Sequence, residues 1–346
     1  MVRGTIRQNS AVRESGSISL TNTPLLMYGV IFFSAGIAAY LFGVSLIVPR
    51  LLFGMNGELR DASEKIVWYS GIPVTFGLGL VLIDLLVLLT HKRRDEPVRH
   101  DPIADNGVTV ALTAYNDEVS IREAVADFRS SPFVRSIIVV SNNSTDNTMA
   151  AAVQAGATTF NETNQGYGRC VYRCLKEALA LDDTRLIVLC EGDMTFRAAD
   201  IEKLLAYAPH ADIVNGTRTV ERLRAHTTQL TTFMFYGNLF VGKLLEAKHL
   251  GRATLTDVGT TYKLCRPEAL ARLIPHVDPA VNLEFNPHFL DRALALGLSV
   301  VECPVTFHPR IGNSKGGNLN NRRALRVGLK MIVGIVVDWR LIAKWA

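Results

Sequence analysis

Two acidic side chains one residue apart, Glu191 and Asp193, are the feature of this sequence that most directly suggests chemistry. They follow an uninterrupted apolar run, residues 186–189, which is the pattern of a central strand in a parallel sheet. Carboxylates just beyond the carboxyl end of such a strand lie where open α/β sheets bind ligands. Two hard oxygen ligands there suit Mg²⁺ or Mn²⁺ held jointly with a substrate diphosphate. The alternative is an ordinary turn in which Asp193 or Thr195 caps the next helix.

The elements that must position these acids begin near residue 107. From there the chain alternates apolar strands with helical patterns, which predicts an α/β fold with a mostly parallel sheet and helices on both faces. The predicted strands cover residues 108–112, 136–140, 157–160, 186–189 and 211–214. Each strand ends in a polar loop of small residues, and such loops converge at one edge of the sheet. A nucleotide would lie at this edge.

Three of the loops carry groups that suit a nucleotide. Tyr115 offers a ring that can stack on a base, and Asn116 and Asp117 offer hydrogen-bonding groups for base or ribose. Asn142 suits a base edge, and the glycines of 164–168 let the backbone approach a phosphate. Each loop taken alone is more typical of a helix cap or an Asx turn. The prediction therefore depends on their succession along one series of strands.

Two apolar segments precede the sheet. Residues 25–48 carry no charge and residues 69–89 carry only Asp84, so both are long enough to cross the hydrocarbon core of a bilayer. Basic residues are in excess before the first segment and after the second, which predicts a multi-pass protein of the plasma (inner) membrane with a cytoplasmic catalytic domain. Asp84 lies close enough to the cytoplasmic end to reach the headgroups. The alternative is a buried helical hairpin of a soluble protein.

Composition is consistent with this division. The net charge of +5 and pI near 9.0 suit a body lying against anionic lipid, and the membrane segments argue against nucleic-acid binding. The five cysteines have no paired spacing, which predicts reduced thiols in a cytosolic domain. The predicted parts are a cytoplasmic tail (1–24), a transmembrane hairpin (25–90), a basic linker (91–106), the α/β domain (107–318) and a C-terminal amphipathic interfacial helix (319–346).

Two amphipathic patterns suggest further contact with the bilayer. One covers residues 230–245, directly after the predicted fifth strand, and the other covers 322–346. The uncharged run of the second is too short to span a membrane, so we predict an interfacial helix with Trp339 and Trp345 at headgroup level. Packing in the core or in an oligomer is the alternative for both.

Taken in order, the loops resemble those of a family 2 glycosyltransferase with the GT-A fold. The polyprenyl-phosphate glycosyltransferases, the dolichol-phosphate mannose synthase group, are the most similar. The resemblance covers about residues 107–317. It is carried by six ordered segments, VALTAYNDE, IIVVSNNSTDNT, CEGDMTF, NGTRT, TDVGTTYKLCRPEAL and ECPVTFHPRIGNSKGG. Four positions depart from the family pattern: Thr113 replaces a usual proline, Ser141 a common acid, Glu191 the first acid of the Asp-x-Asp metal motif, and Thr261 a glycine.

The resemblance implies roles for the matched positions. Glu191 and Asp193 would hold Mg²⁺ or Mn²⁺, and Ser141 leaves the choice between a UDP-sugar and a GDP-sugar open. The residues expected to bind the nucleotide-sugar are Thr113, Tyr115, Asn116, Asp117, Ser141, Asn142, Asn164, Gly166, Gly192 and Arg218. Those expected to act in catalysis are Asp193, Asp257, Glu284, Arg310 and Lys315.

The acceptor decides whether a general base is needed. Arg218, Arg310 and Lys315 suit the oxygens of a diphosphate or of an acceptor phosphate. A hydroxyl acceptor needs a carboxylate, for which Asp257 is the first candidate and Glu284 the second. A lipid monophosphate, whose second pKa is about 6, can attack unaided. In that case Asp257 would orient the donor or the acceptor.

We therefore predict a membrane-anchored, inverting hexosyl- or N-acetylhexosaminyltransferase that moves one sugar onto a polyprenyl phosphate at the cytoplasmic leaflet. The Gln-x-x-Arg-Trp signature of processive synthases is absent. The alternatives are a family 2 enzyme acting on a hydroxyl of a lipid-linked saccharide, a nucleotidyltransferase, and a non-catalytic membrane scaffold with a decayed GT-A domain. A homo-oligomer is also open.

Overall fold

A long helical hairpin precedes an α/β body in the computed structural model, which describes residues 23–54, 57–92, 98–181, 185–312 and 321–344. Its two helices, Leu25–Phe53 and Glu58–Lys92, are each long and apolar enough to cross a membrane. Only 11% of the residues in each apolar window are buried, so these side chains face outward instead of filling a core. The helices are made up of α1 (Leu25–Ser45), α2 (Ile47–Phe53), α3 (Glu58–Tyr69), α4 (Gly71–Ile83), a π-helical turn (Asp84–Leu88) and α5 (Leu89–Lys92).

Glycines seven residues apart let the two helices approach closely. Gly29, Gly36 and Gly43 are buried on one face of α1. A Cβ added to Gly29 would lie 2.7 Å from the carbonyl oxygen of Gly77, and one added to Gly77 would lie 2.5 Å from that of Gly29. No larger residue fits at this crossing without displacing a backbone, so small residues determine the packing of the hairpin.

Asp84 joins the two helices at the end of the hairpin that contacts the body. Its Oδ2 accepts a 2.6 Å hydrogen bond from the backbone nitrogen of Leu26 in the first turn of α1. Its Oδ1 lies 2.6 Å from Nζ of Lys92, which also donates to the carbonyl oxygen of Thr23. The carboxylate is therefore level with the beginning of α1 and stabilises that end of the helix.

The body contains a seven-stranded mixed sheet in the order β3-β2-β1-β4-β6-β5-β7. Its strands are β1 (Val108–Ala114), β2 (Val134–Ser141), β3 (Thr158–Asn161), β4 (Leu186–Glu191), β5 (Ile213–Thr217), β6 (Lys263–Cys265) and β7 (Val300–Pro304). Four of the six neighbouring pairs are parallel, and β6 is antiparallel to both β4 and β5.

All five predicted strands are present, although the predicted fifth strand is displaced. The predicted range 211–214 is replaced by β5, which continues through Asn215, Gly216 and Thr217, so these residues belong to the sheet and not to a loop. The sequence prediction missed β6 and β7. The first of these is only three residues long and includes a buried charged residue, Lys263, which hides the apolar pattern of a central strand.

Helices cover both faces of the sheet and form two cores. In β1, Val110 and Leu112 belong to the core built with α6, whereas Ala111 belongs to the core built with α8. This alternation is the period of two expected of a strand buried on both faces. The helices of the body are α6 (Glu118–Ser130), α7 (Thr148–Gln154), α8 (Tyr167–Leu179), α9 (Ile201–Tyr207), α10 (Thr232–Lys248), α11 (Pro267–Leu273), α12 (Phe285–Ala295), α13 (Asn321–Val336) and α14 (Trp339–Lys344).

The C-terminal segment forms two helices, α13 and α14, in place of the single helix expected over 319–346. The side chain of Trp339 is only 1% exposed, and its ring centroid lies 5.0 Å from that of His288. The prediction that Trp339 lies at headgroup level is therefore wrong, because the chain turns after α13 and buries the indole in the body. Trp345 lies outside the described residues.

Candidate active site

A cavity of about 790 Å³ lies at the carboxyl edge of β1, β2 and β4. Nine of the residues singled out from the sequence line it: Thr113, Tyr115, Asp117, Asn142, Gly166, Glu191, Asp193, Arg218 and Arg310. Six others lie outside its lining: Asn116, Ser141, Asn164, Gly192, Asp257 and Glu284. Lys315 falls outside the described residues. Parallel strands bring the first group together because their carboxyl ends meet at one edge.

A tight turn after β4 orients Asp193. Its Oδ1 accepts hydrogen bonds from the backbone nitrogen (3.0 Å) and the hydroxyl (2.6 Å) of Thr195. Met194, between them, has a φ of 68°, in the left-handed region. The next α-helix begins only at Ile201, with Asp200 as its N-cap residue, so the alternative that Asp193 caps this helix is wrong.

Glu191 lies at the end of β4, where its Oε1 accepts a 2.9 Å hydrogen bond from the hydroxyl of Thr261. Burial, and then the nearby charge of Asp193, raise the pKa of Glu191 to about 7. Two carboxyl groups held close together in a buried site favour either a shared proton or a bound cation.

This acid pair fits a divalent cation. The Oδ2 of Asp193 is buried and accepts no hydrogen bond from the described residues, although Nη1 of Arg310 is nearby. Carboxylate oxygens are the ligands preferred by Mg²⁺ and Mn²⁺. Among the described residues, no group of three His, Cys, Asp or Glu side chains is placed to hold a metal. Glu191 and Asp193 would therefore supply two ligand side chains and leave further positions for oxygens of a bound substrate.

Arg310 connects the acid pair to the loop after β1. Its Nη1 lies 3.0 Å from Oδ2 of Asp193, and its Nη2 donates a 3.0 Å hydrogen bond to Oδ1 of Asp117. The segment that carries Arg310 is held by backbone hydrogen bonds from His308 to Thr195 and from Ile311 to Asp193. Burial disfavours the charge of Arg310, but Asp193 and Asp117 outweigh it and raise the pKa of the guanidinium. A fixed cation therefore lies directly beside the acids.

Arg218 and Asp257 form a second, more deeply buried pair. Nε and Nη2 of Arg218 lie 2.6 and 2.8 Å from the two carboxylate oxygens of Asp257. Asp257 also accepts hydrogen bonds from the backbone nitrogen of Arg218, the amide of Asn238 on α10 and the backbone nitrogen of Gly259. Burial opposes its charge, but these donors, Arg218 foremost, hold the pKa of Asp257 below its usual range. Asp257 is fully buried and serves to fix the guanidinium of Arg218 at the cavity wall.

Asn116 and Ser141 make hydrogen bonds around Ser144, outside the cavity lining. Asn116 has a φ of 50°, and its side-chain Oδ1 accepts a 2.8 Å hydrogen bond from the backbone nitrogen of Thr145. The backbone nitrogen of Asn116 donates to the hydroxyl of Ser144. Ser141 donates to the same Ser144 hydroxyl. These contacts hold the loops after β1 and β2 together, so the two residues shape the site without facing into it.

Three other predicted residues also have local roles. Gly192 packs against α6, where an added Cβ would lie 2.5 Å from Cδ1 of Ile121. Asn164 is exposed, and its backbone nitrogen donates to the side chain of Glu162. Glu284 is 3% exposed at the beginning of α12, and burial raises its pKa. None of the three residues is part of the cavity lining.

Tyr167 and Asn286 are among the polar residues of the cavity wall that sequence reasoning missed. The Tyr167 hydroxyl lies 2.5 Å from Oγ1 of Thr261, and Asn286 donates to the Tyr167 hydroxyl at 3.0 Å. Through Thr261 this network reaches Glu191. Asn282 also lines the cavity, but it precedes α12, so helical spacing in the sequence does not connect it with Asn286.

Part of the cavity lining is apolar and comes from α10 and α13. These helices pack against each other, and α10 also contacts α1 of the hairpin. The side chains of this part are Phe233, Met234, Phe240 and Val241 of α10 and Leu325, Leu329 and Ile332 of α13. The sequence predicted two amphipathic helices here but not that they would enclose one groove. We call this part of the cavity the apolar groove.

Comparison with known proteins agrees with this arrangement. Residues 109–274 match the family model described as Glycosyl transferase family 2. An uncharacterized glycosyltransferase of Mycobacterium tuberculosis is 29% identical over 245 residues, which cover 70% of this chain and all of that protein. A dolichyl-phosphate hexose transferase of Haloferax volcanii is 25% identical over 209 residues, or 60% of this chain and 86% of that protein.

Among solved structures, the glucosyl-3-phosphoglycerate synthase of Mycobacterium tuberculosis, crystallised with Mn²⁺, uridine diphosphate and phosphoglyceric acid, has a TM-score of 0.46 at 15% identity. The match covers 66% of this chain and 78% of that chain. The family match and the mixed sheet with helices on both faces confirm the predicted fold class.

Proposed function

We propose that this chain, whose residues 109–274 belong to glycosyl transferase family 2, transfers one sugar from a nucleotide-sugar to a polyprenyl phosphate at the cytoplasmic surface of a membrane. The observation that carries the proposal is the continuity of the cavity. Its polar end holds the two acids and two arginines, and its other end is the apolar groove beside the hairpin. One cavity thus offers a site for an anionic donor and a site for a lipid chain.

The polar end suits the diphosphate of the donor. Glu191 and Asp193 would hold Mg²⁺ or Mn²⁺, and the bound cation would supply charge neutralisation for the departing nucleoside diphosphate. Arg218 and Arg310 are both held by buried carboxylates, so their guanidinium groups are oriented before substrate arrives. Tyr115 and Asn142 also line the cavity, and we expect them to contact the nucleoside.

The scarcity of available carboxylates favours a phosphate acceptor. Asp257 already receives five hydrogen bonds, and Glu284 lies outside the cavity lining. Among the described residues that line the cavity, the carboxylates are Asp117, Glu191 and Asp193. Asp117 and Asp193 are paired with Arg310, and Glu191 and Asp193 are the two acids proposed to bind the metal. A lipid phosphate needs no base, since its second pKa is about 6. Its oxygen would attack the anomeric carbon, break the bond to the diphosphate oxygen and release the nucleoside diphosphate.

The hairpin and the C-terminal helices support a membrane location. The apolar residues of both long helices face outward, and the short basic flanks favour a cytoplasmic body by the positive-inside rule. The helix α13 carries Arg322, Arg326 and Lys330 beside half-exposed Leu325 and Leu329, which suits an anionic lipid interface. The resemblance to the Haloferax volcanii dolichyl-phosphate hexose transferase supports the same acceptor class.

The test is a donor screen with purified full-length protein in detergent, with Mn²⁺ or Mg²⁺ and a short polyprenyl phosphate. Nucleoside diphosphate release and an acid-labile lipid product are followed together. We expect a lipid product with one donor, lost in Asp193→Asn and retained in Glu123→Gln, whose side chain is 56% exposed. Donor hydrolysis without lipid product would favour a hydroxyl acceptor. Absence of donor binding would favour the scaffold.

A further inference from the structure

A buried carboxylate behind the apolar groove ties its two walls together. The side chain of Asp291, on α12, is only 2% exposed. It accepts a 2.8 Å hydrogen bond from Nζ of Lys248, and its other carboxylate oxygen lies 2.6 Å from Nε2 of His249. Both partners are at the C-terminal end of α10. It also accepts a 2.5 Å hydrogen bond from the indole nitrogen of Trp339, the first residue of α14. We call these four residues the Asp291 cluster.

The three donors come from the two helical segments that enclose the groove. The groove-facing residues of α10 precede Lys248 in the same helix, and α14 follows α13 after a short turn. The indole is also fixed by Gly334 of α13, because an added Cβ there would lie 2.3 Å from the Trp339 ring. The cluster therefore holds α10, α13 and α14 against α12.

The Asp291 cluster is not part of the cavity wall. Asp291, Lys248, His249 and Trp339 are all outside the cavity lining, so none of them is placed to touch a bound substrate. Burial disfavours the charge of Asp291, but the hydrogen bond from His249 and the charge of Lys248 hold its pKa well below the usual range. A buried anion with three directed donors is a rigid connection, since loss of one partner leaves a charge or a polar group unpaired.

We propose that Asp291 is a positioning residue that sets the width and orientation of the apolar groove and thereby governs the use of the lipid acceptor. The proposal rests on the proposed function, because it takes the groove to be the acceptor site. It separates the two substrates by position: the donor end is built on the sheet and on the Arg218 and Arg310 pairs, and it meets α10 and α12 only through Asn238 and Asn286 among the contacts described above. The Asp291 cluster lies farther along both helices and connects them to α14. Loss of the cluster should therefore affect the acceptor and spare the donor.

The experiment compares Asp291→Asn and Trp339→Phe with the wild-type full chain in detergent. We expect the KM for a polyprenyl phosphate to rise by about tenfold, the effect of weakening one buried hydrogen bond to a charged group. The KM for the donor and the affinity for the nucleoside diphosphate should stay within about twofold, since uncoupled sites do not share an interaction energy. The matched control is Asp212→Asn, a half-buried carboxylate paired with Arg99 elsewhere on the body. Equal changes in both KM values, or the same acceptor defect in the control, would overturn the proposal.

A second measurement does not depend on turnover. In a Trp68→Phe/Trp345→Phe background, Trp339 is the single tryptophan, and its fluorescence reports the packing of α14. We expect Asp291→Asn to increase acrylamide quenching of Trp339, whereas unchanged quenching would refute the role of Asp291 in fixing α14. If the wild type uses no lipid phosphate while quenching responds as expected, the acceptor assignment fails and the structural connection stands. The two failures are thus distinguishable.

Discussion

Nη1 of Arg310 lies 3.0 Å from Oδ2 of Asp193, a buried oxygen that accepts no hydrogen bond from the part of the chain that the structure describes. Arg310 follows β7 and Asp193 follows β4, so the pair joins two loops that are far apart in the sequence. The other guanidinium nitrogen reaches Asp117 after β1. One cation therefore holds three segments of the polar end in place, and its own charge faces the position where a diphosphate would bind.

Replacement of Arg310 tests this arrangement. We expect Arg310→Ala to lower kcat/KM by about 10²–10³, the usual cost of removing a fixed group that stabilises developing charge. Arg310→Lys should recover only part of the activity, because a single ammonium group cannot reproduce the two-sided contact of the guanidinium. Steady-state kinetics of nucleoside diphosphate release provide the measurement. Arg340→Ala, at a side chain that is 84% exposed, is the control. Near-normal activity in Arg310→Ala would contradict the assignment.

Asp257→Asn distinguishes a positioning role from a general base. We expect a loss of stability of about 3–5 kcal/mol, because the change leaves the buried Arg218 guanidinium without its counter-charge. The remaining activity should keep the wild-type dependence of kcat/KM on pH. Thermal unfolding and a pH–rate profile measure the two effects, with Asp101→Asn, at a side chain that is 53% exposed, as the control. A large loss of rate with altered pH dependence and unchanged stability would instead identify Asp257 as a base.

Glu191 should make the metal-free protein less stable as the pH rises. Its pKa is raised from 4.5 to about 7 in the folded state by burial and by Asp193. Between these values the folded protein binds more protons than the unfolded chain, so this contribution to stability is complete below pH 4.5 and is lost by about pH 7. Because a metal binds the deprotonated carboxylate, the rise in melting temperature caused by Mn²⁺ should grow as the pH increases through about 7.

Thermal unfolding at several pH values, with and without Mn²⁺, checks both statements. Glu191→Gln should remove the titration of this side chain and reduce the Mn²⁺-dependent rise in melting temperature. A metal effect that is independent of pH, or one that persists unchanged in Glu191→Gln, would exclude Glu191 as a ligand.

The hairpin offers a matched pair of glycines for a packing test. A Cβ on Gly77 would lie 2.5 Å from the backbone of Gly29 and Phe33, whereas one on Gly79 would meet nothing within 4 Å. We expect Gly77→Val to lower the apparent melting temperature in detergent, because overpacking a close contact costs about 1–3 kcal/mol. Gly79→Val should have little effect. Equal behaviour of the two variants would show that the crossing at Gly29 does not determine hairpin stability.

The sequence identified the strands of the site more reliably than the groups that act there. The predicted strands corresponding to β1, β2 and β4 are all present, because an apolar run followed by a polar loop is a local pattern. Asn116 and Ser141 are typical of a nucleotide loop by residue type, yet Asn116 is hydrogen-bonded to the loop after β2 and Ser141 to Ser144 in its own loop. Residue type indicates the capacity for a hydrogen bond but not its direction, which only neighbouring segments decide.

The sequence by itself determined the succession of β1 to β5 and their loops, the two apolar helices and the spacing of Glu191 and Asp193, because periodicity and turn residues act over a few neighbouring positions. Only the tertiary structure showed that Asp257 forms an ion pair with Arg218 and that the buried Trp339 donates a hydrogen bond to Asp291. Each of these pairs joins residues on different elements. Whether such a residue stays charged when buried depends on the cost of desolvation and on hydrogen bonds from segments that are distant in the sequence.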